Sequence, residues 1–262
     1  MKVAAAQISC SLGDPKANLL KVRDFSRRAK DAGVELIVFP EMTDTGYSMS
    51  AIQAHANSWT DGFVPGLQEI AANLSISIVC GVSEKDGGSV YNSLVFVDRQ
   101  GKIAAKYRKT HLYAVAPVEE QKCFAPGDAF GSFAVGELRL GFSICYDLRF
   151  PEMYRKLVVE QNVDAFIVSS AWPFPRIEHF RTLVLARAIE NQSYVIVSNR
   201  VGKDEELWFC GSSAIIDPRG VAVASASADR EELIEADLAG ELVLSVRNRV
   251  ESLAHRRKDL YG

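Results

Sequence analysis

The sequence has few of the residues that stabilise small secreted folds or bind metals. Its five cysteines, Cys10, Cys80, Cys123, Cys145 and Cys210, are odd in number, far apart and without a CxxC pair. This pattern argues against a disulfide framework and a thiolate zinc site, and it predicts a reducing, cytoplasmic location. Only four histidines are present, and no spacing typical of metal ligands occurs, so we expect no metal site.

The sequence also lacks a strong charge excess and a long apolar run. The formal net charge is −3 over 262 residues and the basic residues are scattered, which disfavours binding to nucleic acid or to an anionic membrane. No stretch approaches the length that spans a bilayer, and the short apolar run at residues 3–8 predicts a buried strand rather than a signal peptide. Small-molecule or protein partners are therefore favoured.

Short apolar strands alternate with amphipathic helices through most of the chain. Residues 36–39 are wholly apolar, as in a strand buried on both faces, and a helical pattern precedes them. Residues 90–97 and 103–107 read as a hairpin, which adds antiparallel strands. The combination predicts a mixed-sheet α/β sandwich, a class in which ligands bind at the carboxyl ends of strands. No linker is visible, so we expect residues 1–262 to form a single domain.

Three residues with reactive side chains, Glu41, Lys109 and Cys145, each follow the end of a predicted strand. Alone, a cysteine here is most often a small buried residue, and a single charge after a strand is usually solvated. Together they supply a nucleophile, a base and a cation for an oxyanion. A glutamate among apolar residues can act as the base because burial raises its pKa. Of the histidines only His111 lies near a strand end, so a carboxylate base is favoured over a Cys–His pair.

Cys145 lies at a predicted corner between a strand and a helix. The strand begins near Leu138 and ends at the cysteine, and a helical pattern begins at Glu152. Unpaired N–H groups and the dipole at the start of a helix favour a thiolate. This position therefore predicts a thiol that ionises readily.

Sequence blocks around these residues resemble the signatures of the nitrilase, or carbon–nitrogen hydrolase, superfamily. The three blocks are Phe39-Pro40-Glu41, Tyr107 to Leu112 and Ile144 to Glu152. Further matches are Pro126-Gly127, Arg187 to Asn191, Gly211 to Ser213, Asp217 to Gly220 and Arg256 to Tyr261. The resemblance covers nearly the whole chain in order. It implies a four-layer αββα sandwich, with two mixed β-sheets between helix layers, that assembles as a homodimer or larger homo-oligomer.

The resemblance also implies catalytic roles. Cys145 corresponds to the nucleophile, Glu41 to the general base and Lys109 to the oxyanion stabiliser of an amide hydrolase. The family has a second glutamate before the Pro-Gly motif, which orients the lysine or the substrate amide. Glu120 fits that spacing best, and Glu119 is the alternative. The implied reaction needs no metal and no organic cofactor.

The substrate-binding residues are also inferred from the resemblance. The segments most like the ω-amidase branch, which hydrolyses α-keto dicarboxylic acid monoamides, are residues 171–173, 188–192 and 198–202. Such a substrate carries a carboxylate, which Arg176 or Arg200 would bind, while Arg149 binds it or pairs with local carboxylates. Trp172 either lines the substrate pocket or packs in the hydrophobic core. The backbone N–H of Tyr146 would complete the oxyanion site.

Other functions stay open at this stage. An aliphatic amidase, a nitrilase proper and an N-carbamoyl amide hydrolase would share the same reactive residues. From a different class, a non-catalytic interaction protein would retain the fold alone, although intact Glu41, Lys109 and Cys145 argue against it. The favoured partner is a small-molecule amide substrate.

Overall fold

The computed structural model describes residues 1–116 and 118–261. The strands are β1 (Lys2–Gln7), β2 (Leu36–Val38), β3 (Ser77–Asp86), β4 (Ser89–Val97), β5 (Ile103–Arg108), β6 (Ser132–Val135), β7 (Leu138–Ile144), β8 (Ala165–Ser170), β9 (Tyr194–Asn199), β10 (Val201–Asp204), β11 (Leu207–Cys210), β12 (Ala214–Ile216), β13 (Ala222–Ser225) and β14 (Glu232–Asp237). The helices are α1 (Pro15–Asp31), α2 (Met49–His55), α3 (Phe63–Leu74), α4 (Pro151–Gln161), α5 (Ile177–Asn191), α6 (Gly240–Arg249) and α7 (Lys258–Tyr261).

Most strands belong to two six-stranded mixed sheets. The first has the order β14-β1-β2-β3-β4-β5 and the second has the order β13-β12-β9-β8-β7-β6. In each sheet the central strands, β1-β2-β3 and β7-β8-β9, are parallel and antiparallel strands flank them. Strands β10 and β11 form a separate hairpin. The carboxyl ends of the parallel strands place several loops at one end of the sandwich.

The two sheets pack face to face between layers of helices. Because side chains alternate along a strand, Val3 and Ala5 of β1 face the core between the sheets, whereas Ala4 and Ala6 face the core under α1 and α3. The core between the sheets continues into α4 and α5 on the far side of the second sheet. The layer order is thus α1 and α3, first sheet, second sheet, α4 and α5. The predicted αββα sandwich is confirmed.

Two close contacts fix the end of β2, where the first signature block begins. Ser169 of β8 donates a hydrogen bond to the carbonyl of Phe39 at 2.6 Å, which joins the second sheet to the first. Gly81 of β3 lies so near that a Cβ there would be 2.5 Å from the Pro40 carbonyl oxygen and 2.6 Å from Glu41 Cα. Only glycine permits this approach without a shift of the backbone. The position of Glu41 is therefore set by both sheets.

The region after β7 follows the sequence prediction, with one added feature. Cys145–Arg149 form a 3-10 turn between β7 and α4, and α4 begins at Pro151, next to the predicted start at Glu152. The cysteine thus lies in this turn and not at the first residue of α4. In the described part of the chain, no helix has both the length and the apolar composition needed to cross a bilayer.

Candidate active site

Glu41 lies just after β2 and is completely buried. Its Oε1 accepts hydrogen bonds from Lys109 Nζ at 2.9 Å and from Asn92 Nδ2 at 2.7 Å, and its Oε2 accepts one from the Ala171 N–H at 2.8 Å. Burial raises the pKa of Glu41, and the charge of Lys109 opposes that rise without cancelling it. A raised pKa makes the carboxylate a stronger proton acceptor at neutral pH.

Lys109 lies just after β5, and its side chain is inaccessible to solvent. Its Nζ donates to Glu41 Oε1 at 2.9 Å and to Glu120 Oε1 at 2.8 Å. Burial alone would lower the pKa of Lys109, but the charges of Glu120 and Glu41 outweigh burial and raise it. The N–H of Gly127 donates to the Lys109 carbonyl at 2.8 Å, which gives the Pro-Gly motif a structural role. Lys109 is therefore a fixed cation between two carboxylates.

The structure distinguishes the two candidate glutamates before the Pro-Gly motif. Glu120 is fully buried and accepts hydrogen bonds from Lys109, from the Tyr47 hydroxyl at 2.7 Å and from the Tyr113 N–H at 2.7 Å. Glu119 instead pairs with the exposed Lys122 at 2.8 Å. Glu120 is thus the residue that contacts the lysine, as its spacing predicted.

Cys145 follows β7 in a strained backbone conformation. Its φ of +43° lies in the left-handed region, which costs a non-glycine residue about 1–2 kcal/mol. The residue is 9% exposed. Burial raises the pKa of the Cys145 thiol, the charge of Glu41 raises it further, and Lys109 acts in the opposite direction. The expectation of a readily ionised thiol is therefore wrong, because burial of the thiol and the nearby charge of Glu41 together outweigh the charge of Lys109.

Asp147 joins the turn that carries the cysteine to the segment after β5. It is fully buried, and its Oδ2 accepts hydrogen bonds from the Ile144 N–H at 2.9 Å and from the Tyr107 hydroxyl at 2.7 Å. Its Oδ1 accepts from the His111 N–H at 3.2 Å and lies 2.8 Å from His111 Nδ1. Ile144 directly precedes Cys145, and Tyr107 and His111 lie on either side of Lys109 in the sequence. Asp147 therefore holds the two segments in register.

We expect Asp147→Asn to lower kcat about tenfold and the melting temperature by several degrees. An amide has one acceptor oxygen and no charge, so it loses hydrogen bonds worth about 2 kcal/mol in total. Steady-state kinetics and thermal unfolding measure the two effects. Asp164→Asn is the control, because Asp164 caps the opposite end of the second sheet by accepting from the Arg139 N–H at 2.9 Å. An Asp147→Asn protein with wild-type kcat contradicts the role.

A pocket lies over Cys145, and its empty volume is about 400 Å³ when the solvent at its open mouth is included. Its walls are mostly aromatic and apolar side chains, with two arginines among them: Tyr47, Tyr113, Val118, Tyr146, Arg149, Ala171, Trp172, Pro173, Arg176 and Leu207. Trp172 both lines the pocket and packs on Phe180 of α5, with ring centroids 5.5 Å apart. A concave site with an aromatic and apolar lining and a few polar groups suits a small organic molecule.

The two pocket arginines lie over aromatic rings. The Arg149 guanidinium is 4.9 Å from the centre of the Trp172 ring, and that of Arg176 is 5.8 Å from the centre of the Tyr113 ring. Arg149 also lies 3.4 Å from His179 Nδ1. Within residues 1–116 and 118–261, neither guanidinium forms a salt bridge with a carboxylate. Both are therefore available to an anionic group in the pocket.

Arg200, by contrast, does not line the pocket. It is completely buried, both terminal nitrogens contact the Asp204 carboxylate, and Nη2 lies 3.4 Å from the Cys10 carbonyl oxygen. The prediction that Arg200 binds a substrate carboxylate does not fit this position, because its charge is already paired and shielded.

Two residues in the site had no role in the sequence prediction. Asn92 donates to both Glu41 and Glu120, at 2.7 and 3.1 Å, and Tyr47 holds Glu120 through its hydroxyl. A signal for Asn92 existed, since it is a polar residue inside the predicted strand 90–97. Tyr47 lies in a loop without such a pattern. Among the described residues, no group of three or more His, Cys, Asp or Glu side chains is arranged to hold a metal ion.

Comparison with known proteins identifies the family of the chain. The carbon-nitrogen hydrolase family model matches residues 2–248. The 2-oxoglutaramate amidase of Bacillus subtilis is 32% identical over 261 residues, which cover 99% of this chain and 98% of that protein. A nitrilase of Pyrococcus abyssi is 33% identical over 269 residues, with coverages of 99% and 97%.

A solved structure shows the same architecture. A mutant amidase from Nesterenkonia sp. AN1, which carries the Michael addition product of acrylamide at its active-site cysteine, matches with a TM-score of 0.88 and 27% identity. The match covers 100% of this chain and 98% of that one. The chain therefore belongs to the carbon–nitrogen hydrolase family of the nitrilase superfamily, and it is a carbon–nitrogen hydrolase with a cysteine in its candidate active site.

Proposed function

We propose that this enzyme hydrolyses the terminal amide of a small carboxylate-bearing amide, such as an α-keto acid monoamide, to the acid and ammonia. The observation that carries the proposal is the pair Arg149 and Arg176, which lie at a pocket over Cys145 and form no salt bridge with another described residue. Arginine binds a carboxylate through two parallel hydrogen bonds. The 2-oxoglutaramate amidase among the relatives supports the same substrate class.

In the proposed acylation step, Glu41 accepts the thiol proton as Cys145 Sγ forms a bond to the amide carbonyl carbon. The raised thiol pKa means that the proton must move during attack, which Glu41 can accept because its own pKa is also raised. Lys109 and the Tyr146 N–H hold the oxyanion; this N–H belongs to the first turn of a 3-10 segment, where it has no partner within the turn. The C–N bond then breaks, and Glu41 returns the proton to the leaving ammonia.

In the proposed deacylation step, water replaces ammonia in the site. Glu41 accepts a proton from this water as its oxygen forms a bond to the thioester carbon, and Lys109 with the Tyr146 N–H again holds the oxyanion. The C–S bond breaks, the sulfur regains its proton from Glu41, and the acid leaves. The sum is one amide and one water converted to one acid and one ammonia.

A panel of substrates with ammonia detection tests the proposal. We expect faster turnover of α-keto dicarboxylic acid monoamides than of butyramide, of a matching nitrile or of an N-carbamoyl compound. A nitrilase is the second candidate, because a relative of similar identity carries that name. Preference for the nitrile over every amide contradicts the proposal and favours this candidate.

We expect Arg176→Met and Arg149→Met each to raise KM for the carboxylate-bearing amide about 10- to 100-fold and to leave turnover of butyramide within about twofold. The size follows from loss of a charge-assisted hydrogen bond of about 1.5–3 kcal/mol. Arg181→Met is the control: Arg181 is on α5 and pairs with Glu178 at 3.2 Å instead of lining the pocket. If each variant loses the same amount of activity on both substrates, the arginine does not bind the substrate carboxylate.

We also propose that the chain is a single domain that assembles as a homodimer or larger homo-oligomer in the cytoplasm. Exposed apolar residues on α5, Leu185 and Ile189, support an interface. Sedimentation equilibrium tests the assembly, and a monomer at micromolar concentration contradicts it.

A further inference from the structure

Tyr47 connects the active site to a buried ion pair outside the pocket. Its ring lines the pocket and its hydroxyl donates to Glu120 Oε1 at 2.7 Å. At the other end of the residue, the Tyr47 backbone N–H donates to Asp204 Oδ2 at 2.7 Å. Both ends of Tyr47 are thus held by carboxylates, one in the site and one at the end of β10.

Asp204 is itself fixed by Arg200. The two side chains are 1% and 0% exposed, and both terminal nitrogens of the guanidinium contact the carboxylate. Arg200 Nη2 also lies 3.4 Å from the Cys10 carbonyl oxygen, and the guanidinium is 4.5 Å from the centre of the Phe209 ring. The pair therefore has a single well-defined geometry.

A buried ion pair of this kind is weak evidence for a gain in net stability. Removal of two charges from water is expensive, and apolar residues of similar volume often stabilise a fold as well or better. A buried pair can instead specify one arrangement of the backbone around it. The loop before Tyr47 packs closely against Asp204. Gly46 has φ +74°, and a Cβ there would lie 3.2 Å from Asp204 Oδ2 and 2.9 Å from Leu12 Cδ1.

We propose that Asp204, held by Arg200, is a positioning residue for the hydrolytic reaction: it fixes the Tyr47 backbone so that the Tyr47 hydroxyl holds Glu120 against Lys109. The chain of contacts runs from Arg200 through Asp204, Tyr47 and Glu120 to Lys109. The inference rests on the proposed role of Lys109 in oxyanion binding, and it does not depend on which amide is the substrate. Arg200 is thus not assigned to the substrate binding that the sequence predicted, but acts on the site through Asp204 and Tyr47.

A double-mutant cycle between Asp204 and Tyr47 tests the proposal on full-length protein. We expect Asp204→Asn and Tyr47→Phe each to lower kcat about tenfold, with KM changed less than about threefold. If Asp204 acts through Tyr47, the double variant also loses about tenfold and not about a hundredfold, since the second change removes nothing further. Losses that multiply overturn the proposal, as does an Asp204→Asn protein with wild-type kcat.

A matched control and a milder variant separate positioning from folding. Asp217 is another buried carboxylate, paired with Arg219 at 2.6 Å and away from the pocket; Asp217→Asn is expected to lower the melting temperature and leave kcat unchanged. Should Asp204→Asn fail to fold, Arg200→Lys keeps the buried charge and is expected to lower kcat about threefold in the wild-type background but not in Tyr47→Phe. An equal loss in both backgrounds overturns the proposal.

The substrate panel keeps this test distinct from that of the proposed function. If the nitrile or the N-carbamoyl compound is turned over and no amide is, the proposed function fails, and the cycle is measured on that substrate with the same expected result. If amides are turned over and the Asp204 and Tyr47 effects multiply, only the positioning role fails.

Discussion

Cys145→Ala is expected to reduce ammonia release from every accepted amide by about 10⁴-fold or more. Alanine has no atom that can form the proposed thioester, and loss of the nucleophile in an enzyme of this type removes most of the rate enhancement. Ammonia detection under single-turnover and steady-state conditions measures the loss. Acid-quenched wild-type protein should also carry the acyl group as added mass, which the variant lacks.

The control for this substitution is another buried cysteine. Cys80 lies in β3, is fully buried and packs in the core under α1 and α3, so Cys80→Ala removes a thiol without touching the pocket. It should keep wild-type kcat and bind an electrophile at Cys145 at the wild-type rate. Ammonia release by Cys145→Ala at the wild-type rate contradicts the covalent scheme.

Glu41→Gln is expected to lower kcat about 10²- to 10⁴-fold, the usual contribution of a general acid–base group. Glutamine cannot accept the thiol proton. Its amide NH₂ would also face donors in place of one carboxylate oxygen, either Lys109 Nζ and Asn92 Nδ2 or the Ala171 N–H. Steady-state kinetics measure the loss. Glu84→Gln is the control, because Glu84 is also buried but accepts hydrogen bonds from Ser93 and Arg108 and not from Lys109.

The pH profile gives a second readout of the same residue. Because burial raises the pKa of Glu41, the acid limb of kcat/KM should lie above the value of about 4.3 that is usual for a glutamate. Below that limb Glu41 is protonated and cannot accept a proton, so activity falls as pH falls. A limb at or below pH 4.3 would show that another group is the base.

The sequence was most informative where local pattern and chain position agree. Residues 36–39 read as a buried strand, and the structure has β2 there, with Glu41 just beyond it. The same reasoning placed Lys109 after β5 and Cys145 after β7. Parallel strands share one carboxyl end, so residues that follow them can meet although they are far apart in sequence.

Features that depend on contacts between distant segments were not predictable. Arg200 follows a strand end like Glu41, Lys109 and Cys145, yet it does not line the pocket, because it pairs with Asp204 four residues later. The hairpin β10–β11 and helix α2 lack a clear period and were missed. The raised pKa of the Cys145 thiol was not predictable because its largest cause is burial by segments that are distant in sequence, with the charge of Glu41 second.

The hydrogen bonds that cross between the sheets near Glu41 have a mechanical consequence. Glu41 belongs to the first sheet, but one of its oxygens is held by Ala171 and the preceding Phe39 carbonyl by Ser169, both at the end of β8 in the second sheet. The orientation of the Glu41 carboxylate therefore depends on the distance between the two sheets. A core substitution that pushes the sheets apart by a few tenths of an ångström would misalign the base without touching the pocket. Heating should accordingly abolish the activity at a temperature below the one at which the fold unfolds.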